Sequence, residues 1–299
     1  MSNDKAVSDH YLHGDLLNAI QAAITELGKT TDSVTLEDLA PVDEFHIGGR
    51  VATEHFLAQL NFSHQTHVLD VGCGLGGASR YVANKYKNLV TGIDLTTEYI
   101  NTGTALCSWL ELNDLVSLHQ GSALAMPFQD ESFDGAFMMH VGMNIEDKKQ
   151  LFAEIYRVLR PGSLLGVYDV MRYQNGELSY PVPWATEQNT SHVATPTQYK
   201  EAMVNAGFEL SIENNRRDFA LEFFKQLRAK KAATKKLERS KKYKNTIKYK
   251  VKVSNDYILS KHNLSSASQD TCIMFGVMIQ KNDFTSNITW FFSFLISSF

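Results

Sequence analysis

Residues 68–77, VLDVGCGLGG, constrain the fold more than any other stretch of the chain. An apolar run broken only by Asp70 spills into glycines, which reads as a strand, a tight turn and the start of a helix. In doubly wound α/β sheets that junction delivers the chain to the ligand crevice. Gly72 and Gly74, lacking a Cβ, allow a sharp turn and a close backbone approach. Read literally, Gly72, Gly74 and Gly77 satisfy G-x-G-x-x-G, so the pattern alone admits a dinucleotide such as NAD.

The following hundred residues alternate strand and helix. THVLDVG, NLVTGIDL, VSLHQGS, FDGAFMMH and SLLGVYDVM have strand character. GGASRYVANKY, TTEYINTGTALCSWLEL and EDKKQLFAEIYRVLR are helical, the last stopping at Pro161-Gly162. Such alternation predicts an α/β fold with a doubly wound, mainly parallel sheet covered on both faces. Upstream, Leu16, Leu17, Ile20, Ala23, Ile24 and Leu27 share a helical face ending at Gly28. A second helix, carrying Val51, Phe56, Leu57 and Leu60, follows the DEFHIGGR turn. Downstream, QYKEAMVNAGFEL predicts a helix ending at Gly207 and leading into a strand. CIMFGVMIQ reads as a buried strand able to close the sheet edge. The expected division is a helical lid over 1–65, a ligand-binding α/β domain over 66–224, and a basic segment with a C-terminal extension over 225–299.

Composition bounds the partners. Apolar residues make up 43%, charged residues 21%, and the formal charge is −4, which gives no reason to expect nucleic acid. Cys73, Cys107 and Cys272 are too few and scattered for a disulfide framework or zinc site, and fit a reducing, cytoplasmic setting. The N-terminus lacks the basic and apolar regions of a secretory signal. The apolar tail over 288–299 is shorter than the ~20 residues of a membrane helix; it reads as a buried terminal segment or an extension. Residues 225–252 hold thirteen lysines and arginines against Glu238, the composition of a solvated helix or insertion, with an anionic membrane surface or RNA as the sharper alternative. Oligomeric state is not legible, and a homodimer is admitted.

Asp70 argues about what the turn holds. Pyrophosphate prefers the positive end of a helix, and a carboxylate at the strand mouth repels it. The same carboxylate suits an ammonium or sulfonium, and S-adenosylmethionine carries both and no phosphate. Asp94, about twenty residues beyond the glycines, suits the hydroxyls of a ribose, which either cofactor presents. A helix N-cap is the alternative role for it, though Thr96 or Thr97 fills that better.

VLDVGCGLGG, GIDL, GSALAMPFQDESFDGAF and EIYRVLRPGSLLGVYD, taken together over 66–172, resemble the class I S-adenosylmethionine-dependent methyltransferases. DEFHIGGR, HVGMNIEDK and YPVPWA further resemble the small-molecule branch containing the sarcosine/dimethylglycine N-methyltransferases. The resemblance implies a Rossmann-like fold with S-adenosylmethionine as cofactor. It places Asp70, Gly72, Gly74 and His140 at the methionine portion, Asp94 and Leu95 at ribose and adenine, and Ser122 and Ala123 beside the adenine. Ser122 stands where the family often has an acid. Tyr11 would fold over the cofactor as part of a lid.

Methyl transfer is an in-line displacement that asks chiefly for alignment and exclusion of water. A neutral amine needs little more, whereas a phenol or enol gains from a general base, for which His140 and His46 are candidates. A sarcosine-type acceptor needs a cation for its carboxylate; Arg172 is the first candidate and Arg50 the second. Asn144 and Trp184 would shape the pocket by hydrogen bonding and packing, while Met138, Met139 and Met143 fill core or wall. The reading is methyl transfer to a small amine such as sarcosine or dimethylglycine. The alternatives are O- or C-methylation of a quinol or natural product, a nicotinamide-dependent oxidoreductase, and a non-catalytic nucleoside-binding protein.

Overall fold

The computed structural model describes residues 3–12, 14–173, 176–239 and 272–282. A seven-stranded sheet forms its centre, in the order β3-β2-β1-β4-β5-β7-β6. The strands are β1 (His67–Val71), β2 (Leu89–Asp94), β3 (Val116–Gln120), β4 (Phe133–Met139), β5 (Leu159–Arg172), β6 (Phe208–Asn215) and β7 (Cys272–Lys281). The first five pair in parallel, while β7 runs antiparallel to both β5 and β6. Helices α5 (Gly77–Tyr86), α6 (Thr97–Trp109), α7 (Lys148–Val158) and α8 (Pro196–Ala206) follow the strands, and α9 (Arg217–Arg239) leaves the edge strand. The alternation read from the sequence is thus the observed doubly wound, mainly parallel architecture.

Apolar strand residues explain the layering. Val68, Leu69 and Val71 are each fully buried, as continuous apolar strands of a two-sided parallel sheet should be. Leu151, Phe152, Ile155 and Val158 give α7 one apolar face, also without exposure, packed with Leu165 and Val167 of β5. Fully burying four such side chains contributes roughly 1.5–3 kcal/mol each before entropy is counted.

Four helices precede the sheet: α1 (Asn3–Tyr11), α2 (Leu16–Glu26), α3 (Leu36–Asp43) and α4 (Gly49–Leu57). Leu16, Ile20, Ala23 and Ile24 are buried as expected, but Leu27 lies past the end of α2 and is exposed. In α4, Phe56 and Leu57 are buried with Leu60 beyond, whereas Val51 is 50% exposed on the opposite face. Helix α3 begins at a capping box in which Thr35 and Asp38 exchange hydrogen bonds.

Two local expectations fail for identifiable reasons. Helix α7 ends at Val158, before Pro161-Gly162, because β5 already begins at Leu159. Leu159 pairs with Phe133, and a register shift between Phe133 and Gly135 absorbs the extra residues. The strand read from CIMFGVMIQ does not close the edge but inserts between β5 and β6, with nine residue pairs from Leu164↔Gln280 to Arg172↔Cys272. Part of the lysine-rich segment continues the backbone of α9 to Arg239. Residues 240–271 and the apolar tail over 288–299 lie outside the described residues. Among the described residues no helix is long and apolar enough to cross a membrane, and no cluster of His, Cys, Asp or Glu could hold a metal.

Candidate functional site

A cavity of about 330 Å³ opens at the C-terminal ends of β1, β2 and β4, beneath α1 and the α3–α4 connection. The glycine turn forms its floor. Gly72 and Cys73 N–H groups both donate to Ile93 O, at 2.8 and 3.0 Å, and Gly76 N–H donates to Cys73 O at 2.8 Å. Gly74 N–H donates to Asp94 Oδ2 at 3.0 Å. Four of the donors that a dinucleotide turn would offer to pyrophosphate are therefore spent within the protein.

The glycines do different work. At Gly72, φ is +72° and a Cβ would lie 2.3 Å from Val141 Cγ2, so this glycine serves close packing of β1 against the segment after β4. At Gly74, φ is +55° and a Cβ would meet only the Phe45 ring, at 3.8 Å, across open space. Gly74 is the position where a ligand can approach backbone.

Two carboxylates face this floor. Asp70 is 3% exposed and accepts from Ser79 Oγ at 2.6 Å. Burial pushes its carboxyl up to about 7, with Ser79 opposing and Asp94 adding to the rise. Asp94 accepts from Thr96 N–H at 2.8 Å as well as from Gly74. Burial raises its carboxyl, and those two backbone donors oppose the rise. Thr96 is the N-cap residue of α6. Leu95, Gly121, Ser122 and Ala123 continue the wall towards β3, where Ser122 Oγ accepts from Leu124 N–H at 3.3 Å.

The other half of the cavity is apolar and lies towards β4 and β5. Ile47, Met139, Met143, Val170, Pro183 and Trp184 line it together with His46, His140 and Asn144. His140 has φ +58°; histidine tolerates this left-handed conformation better than most residues, but at a cost. Its N–H is fixed by Tyr168 O at 2.8 Å. Asn144 donates to Trp184 O at 2.7 Å and Thr190 O at 3.0 Å, and accepts from Tyr11 Oη at 3.0 Å. Tyr11 thereby brings α1 over the cavity mouth.

Tyr11, His46, Asp70, Gly72, Gly74, Asp94, Leu95, Ser122, Ala123, His140 and Asn144 all border this one cavity. Arg172 and Arg50 do not. Arg172 reaches back to Gly176 O at 2.7 Å; Val170, two residues earlier on the same strand face, is the residue in the wall. Arg50 lies with Nε 2.7 Å from Glu44 Oε1 and its guanidinium over the Tyr81 ring. The anion clamp expected of these arginines is absent from the lining. Among the described residues the wall instead holds six carboxyl groups, those of Asp4, Asp43, Asp70, Asp94, Glu146 and Asp147, and no lysine or arginine. Asp43, Phe45 and Tyr99 were not singled out from the sequence, although the acids crowded into LEDLAPVDEFH mark a segment too polar for a plain core helix.

Residues 69–167 match the family described as "Methyltransferase domain". This segment is a methyltransferase domain. Over 96 residues the chain is 45% identical to a protein of Oryza sativa subsp. japonica assigned as a chloroplastic tocopherol O-methyltransferase, covering 32% of this chain and 26% of that one. The phosphoethanolamine N-methyltransferase 2 of Haemonchus contortus, solved with phosphomonomethylethanolamine and S-adenosylhomocysteine, superposes with a TM-score of 0.65 at 20% identity, over 88% of this chain and 61% of that one. A Galdieria sulphuraria structure assigned as a sarcosine dimethylglycine methyltransferase superposes with a TM-score of 0.59 at 18% identity, over 78% and 85% of the two chains. At these identities the structural likeness is one of fold. The chain spans between 26% and 60% of the length of the first curated relatives it matches. The class I methyltransferase resemblance drawn from the sequence is borne out by the domain match and by the sheet.

Proposed function

We propose that this chain transfers the methyl group of S-adenosylmethionine to a small, largely apolar acceptor that bears no anionic group, through an oxygen or carbon nucleophile. The observation that carries this reading is the lining of the cavity: Asp70 and Asp94 on the floor, six carboxyl groups in all with Asp43 held by Arg80, and no lysine or arginine among the described residues that line it. A cationic cofactor without phosphate fits that lining better than a dinucleotide, because the N–H groups of Gly72, Cys73 and Gly74 are directed into β2 and Asp94. The solved relative holding S-adenosylhomocysteine supports the same cofactor.

When bound, S-adenosylmethionine supplies a methyl carbon already activated by its sulfonium. The chain's own residues do the remainder. Asp70 would face the ammonium or sulfonium, Asp94 the ribose hydroxyls, and Leu95, Ser122 and Ala123 the adenine. Tyr11 and α1 close over the mouth and exclude water, which strengthens each electrostatic contact inside. Met139, Met143, Val170 and Trp184 would seat the acceptor's apolar body, and a histidine of the wall would take its proton.

Sarcosine or dimethylglycine fits less well, because each brings a carboxylate that no lysine or arginine among the described lining residues would meet. The tocopherol O-methyltransferase assignment of a relative supports a hydroxyl on an apolar body. Calorimetry with S-adenosylmethionine and with NADH, followed by labelled-methyl transfer to phenols, quinols, sarcosine and dimethylglycine, tests both halves. Binding of S-adenosylmethionine and methylation of hydroxyl acceptors is the expected result. Preference for NADH would overturn the cofactor, and transfer confined to the amino acids would overturn the acceptor.

A further inference from the structure

Two histidines share the apolar half of the cavity with ring centroids 5.9 Å apart, and their hydrogen bonds require opposite tautomers. His46 Nε2 lies 3.1 Å from Gly49 O. A carbonyl oxygen only accepts, so Nε2 carries the hydrogen and the lone pair of neutral His46 resides on Nδ1. His140 is the reverse. Ile47 N–H donates to its Nε2 at 3.4 Å, which places the hydrogen of neutral His140 on Nδ1 and commits its lone pair to a backbone donor.

The Nε2 side of His46 is backed by a buried chain of groups. Thr53 Oγ1 lies 3.0 Å from His46 Nε2 and donates its own hydrogen to Glu44 Oε2 at 2.9 Å. Thr53 is fully buried and Glu44 is 3% exposed. A threonine inside a helix commonly bonds back to the carbonyl four residues earlier. For Thr53 that carbonyl is Gly49 O, which here receives the His46 ring instead. The hydroxyl is turned out of α4 to join an acid and a histidine on the connection before it. The backbone of Ile47 is held from both sides, by His140 Nε2 and by Tyr168 Oη at 3.1 Å, so the His46 ring has a fixed base.

We infer that His46 is the group that takes the acceptor's proton, that Thr53 and Glu44 are positioning residues behind it, and that His140 serves as a donor and anchor. This rests on the methyl-transfer reading above. The proton of the acceptor's O–H passes to His46 Nδ1 while the oxygen lone pair forms the bond to the methyl carbon. The carbon–sulfur pair stays on sulfur, and the proton later leaves His46 for solvent. The charge left on the ring is met at Nε2–H by Thr53 Oγ1 and, through it, by the Glu44 carboxylate. The arrangement is a histidine oriented and supported by an acid, with a threonine hydroxyl between them. Burial holds the Glu44 carboxyl up at about 7 against the pull of Arg50, so a positive charge on His46 would draw it into its ionised form.

Nitrogen-15 spectra of the histidine rings in the cofactor-free protein test the tautomers without any turnover. His46 is expected as Nε2–H and His140 as Nδ1–H; a hydrogen on His46 Nδ1 would overturn the assignment. With an accepted acceptor, His46→Gln should lower kcat on the order of 100-fold, the low end of general-base contributions, and Thr53→Val, which removes only a positioning contact, should lower it less, about 10-fold. In both variants KM and calorimetric cofactor affinity stay unchanged, and Thr53→Ser restores kcat. Undiminished turnover in Thr53→Val, or a loss confined to His140→Gln, would overturn the inference. Absence of cofactor binding in the unmodified protein would instead remove the methyl-transfer reading, and this inference with it. Binding with the wrong tautomer would remove this inference alone.

Discussion

Arg80 Nη2 lies 2.5 Å from Asp43 Oδ2, with neither side chain exposed, and this pair joins the N-terminal helices to the glycine turn. The same guanidinium donates from Nη1 to Leu75 O at 2.7 Å and Gly103 O at 3.2 Å. Asp43 in turn sits over the start of α5, where a Cβ on Gly77 would come within 2.5 Å of its carbonyl oxygen. One cation thus fixes the end of α3, the turn and α6 together.

Removing Arg80 should therefore be severe. Arg80→Met leaves the Asp43 carboxylate buried without its partner, and breaking a buried pair from one side costs about 3–5 kcal/mol. Denaturant unfolding should show that loss, with faster proteolysis of residues 1–65. A variant as stable as the parent would show that the pair is not what holds the N-terminal helices down.

Asp70 carries an opposite expectation. Its carboxyl is raised from the ordinary 3.8 to about 7 by burial, so the folded cofactor-free chain holds a proton that the unfolded chain has lost. That contribution to folding is fully present below about pH 4 and is lost as pH rises to about 7. Asp70→Asn keeps an acceptor for Ser79 and removes the ionisation. It should gain on the order of 1–3 kcal/mol of stability at pH 8 and nothing at pH 4, while weakening binding of S-adenosylmethionine. Equal gains at both pH values would exclude the carboxyl as the cause.

The same ionisation should appear in binding. A cation settling beside Asp70 favours the ionised carboxylate, so binding near pH 6 should release a proton and affinity should rise from pH 5.5 to pH 8. Calorimetry in buffers of different ionisation enthalpy measures the release directly. In Asp70→Asn both the release and the pH dependence should disappear.

How far the sequence reaches depends on the range of the interaction that decides each element. The strand of Val68–Val71 and the helix of Leu151, Ile155 and Val158 carry their burial in local periodicity, and both stand where the sequence puts them. The strand over 272–281 was legible as a strand, but its place between β5 and β6 rests on partners 60 to 116 residues away. Arg172 illustrates the limit for sites. Its position at the end of β5 suggested a clamp, yet strand alternation fixes only the face, and the side chain passes the rim to bond Gly176 O. The buried charge of Arg80 was invisible for the same reason, since its partner Asp43 is 37 residues earlier. Asp70 and Asp94 were legible because a strand end fixes where a short side chain sits.

Tyr11 tests whether α1 is a lid. Its hydroxyl donates to Asn144 Oδ1 at 3.0 Å, while the Asn144 amide is spent on Trp184 O and Thr190 O. Tyr11→Phe removes one partly buried hydrogen bond and leaves an acceptor unpaired at the cavity wall, a loss of about 0.5–1.5 kcal/mol. Val7 remains buried and His10 Nδ1 remains 2.9 Å from Thr186 Oγ1, so α1 should still dock, but less firmly. Loosening confined to α1 leaves the sheet intact, so the melting temperature should hardly move while S-adenosylmethionine dissociates several-fold faster in stopped-flow measurements. An unchanged dissociation rate would mean that α1 does not gate the cavity, and that the Tyr11–Asn144 contact serves only to hold the Gly142–Asn144 turn in place.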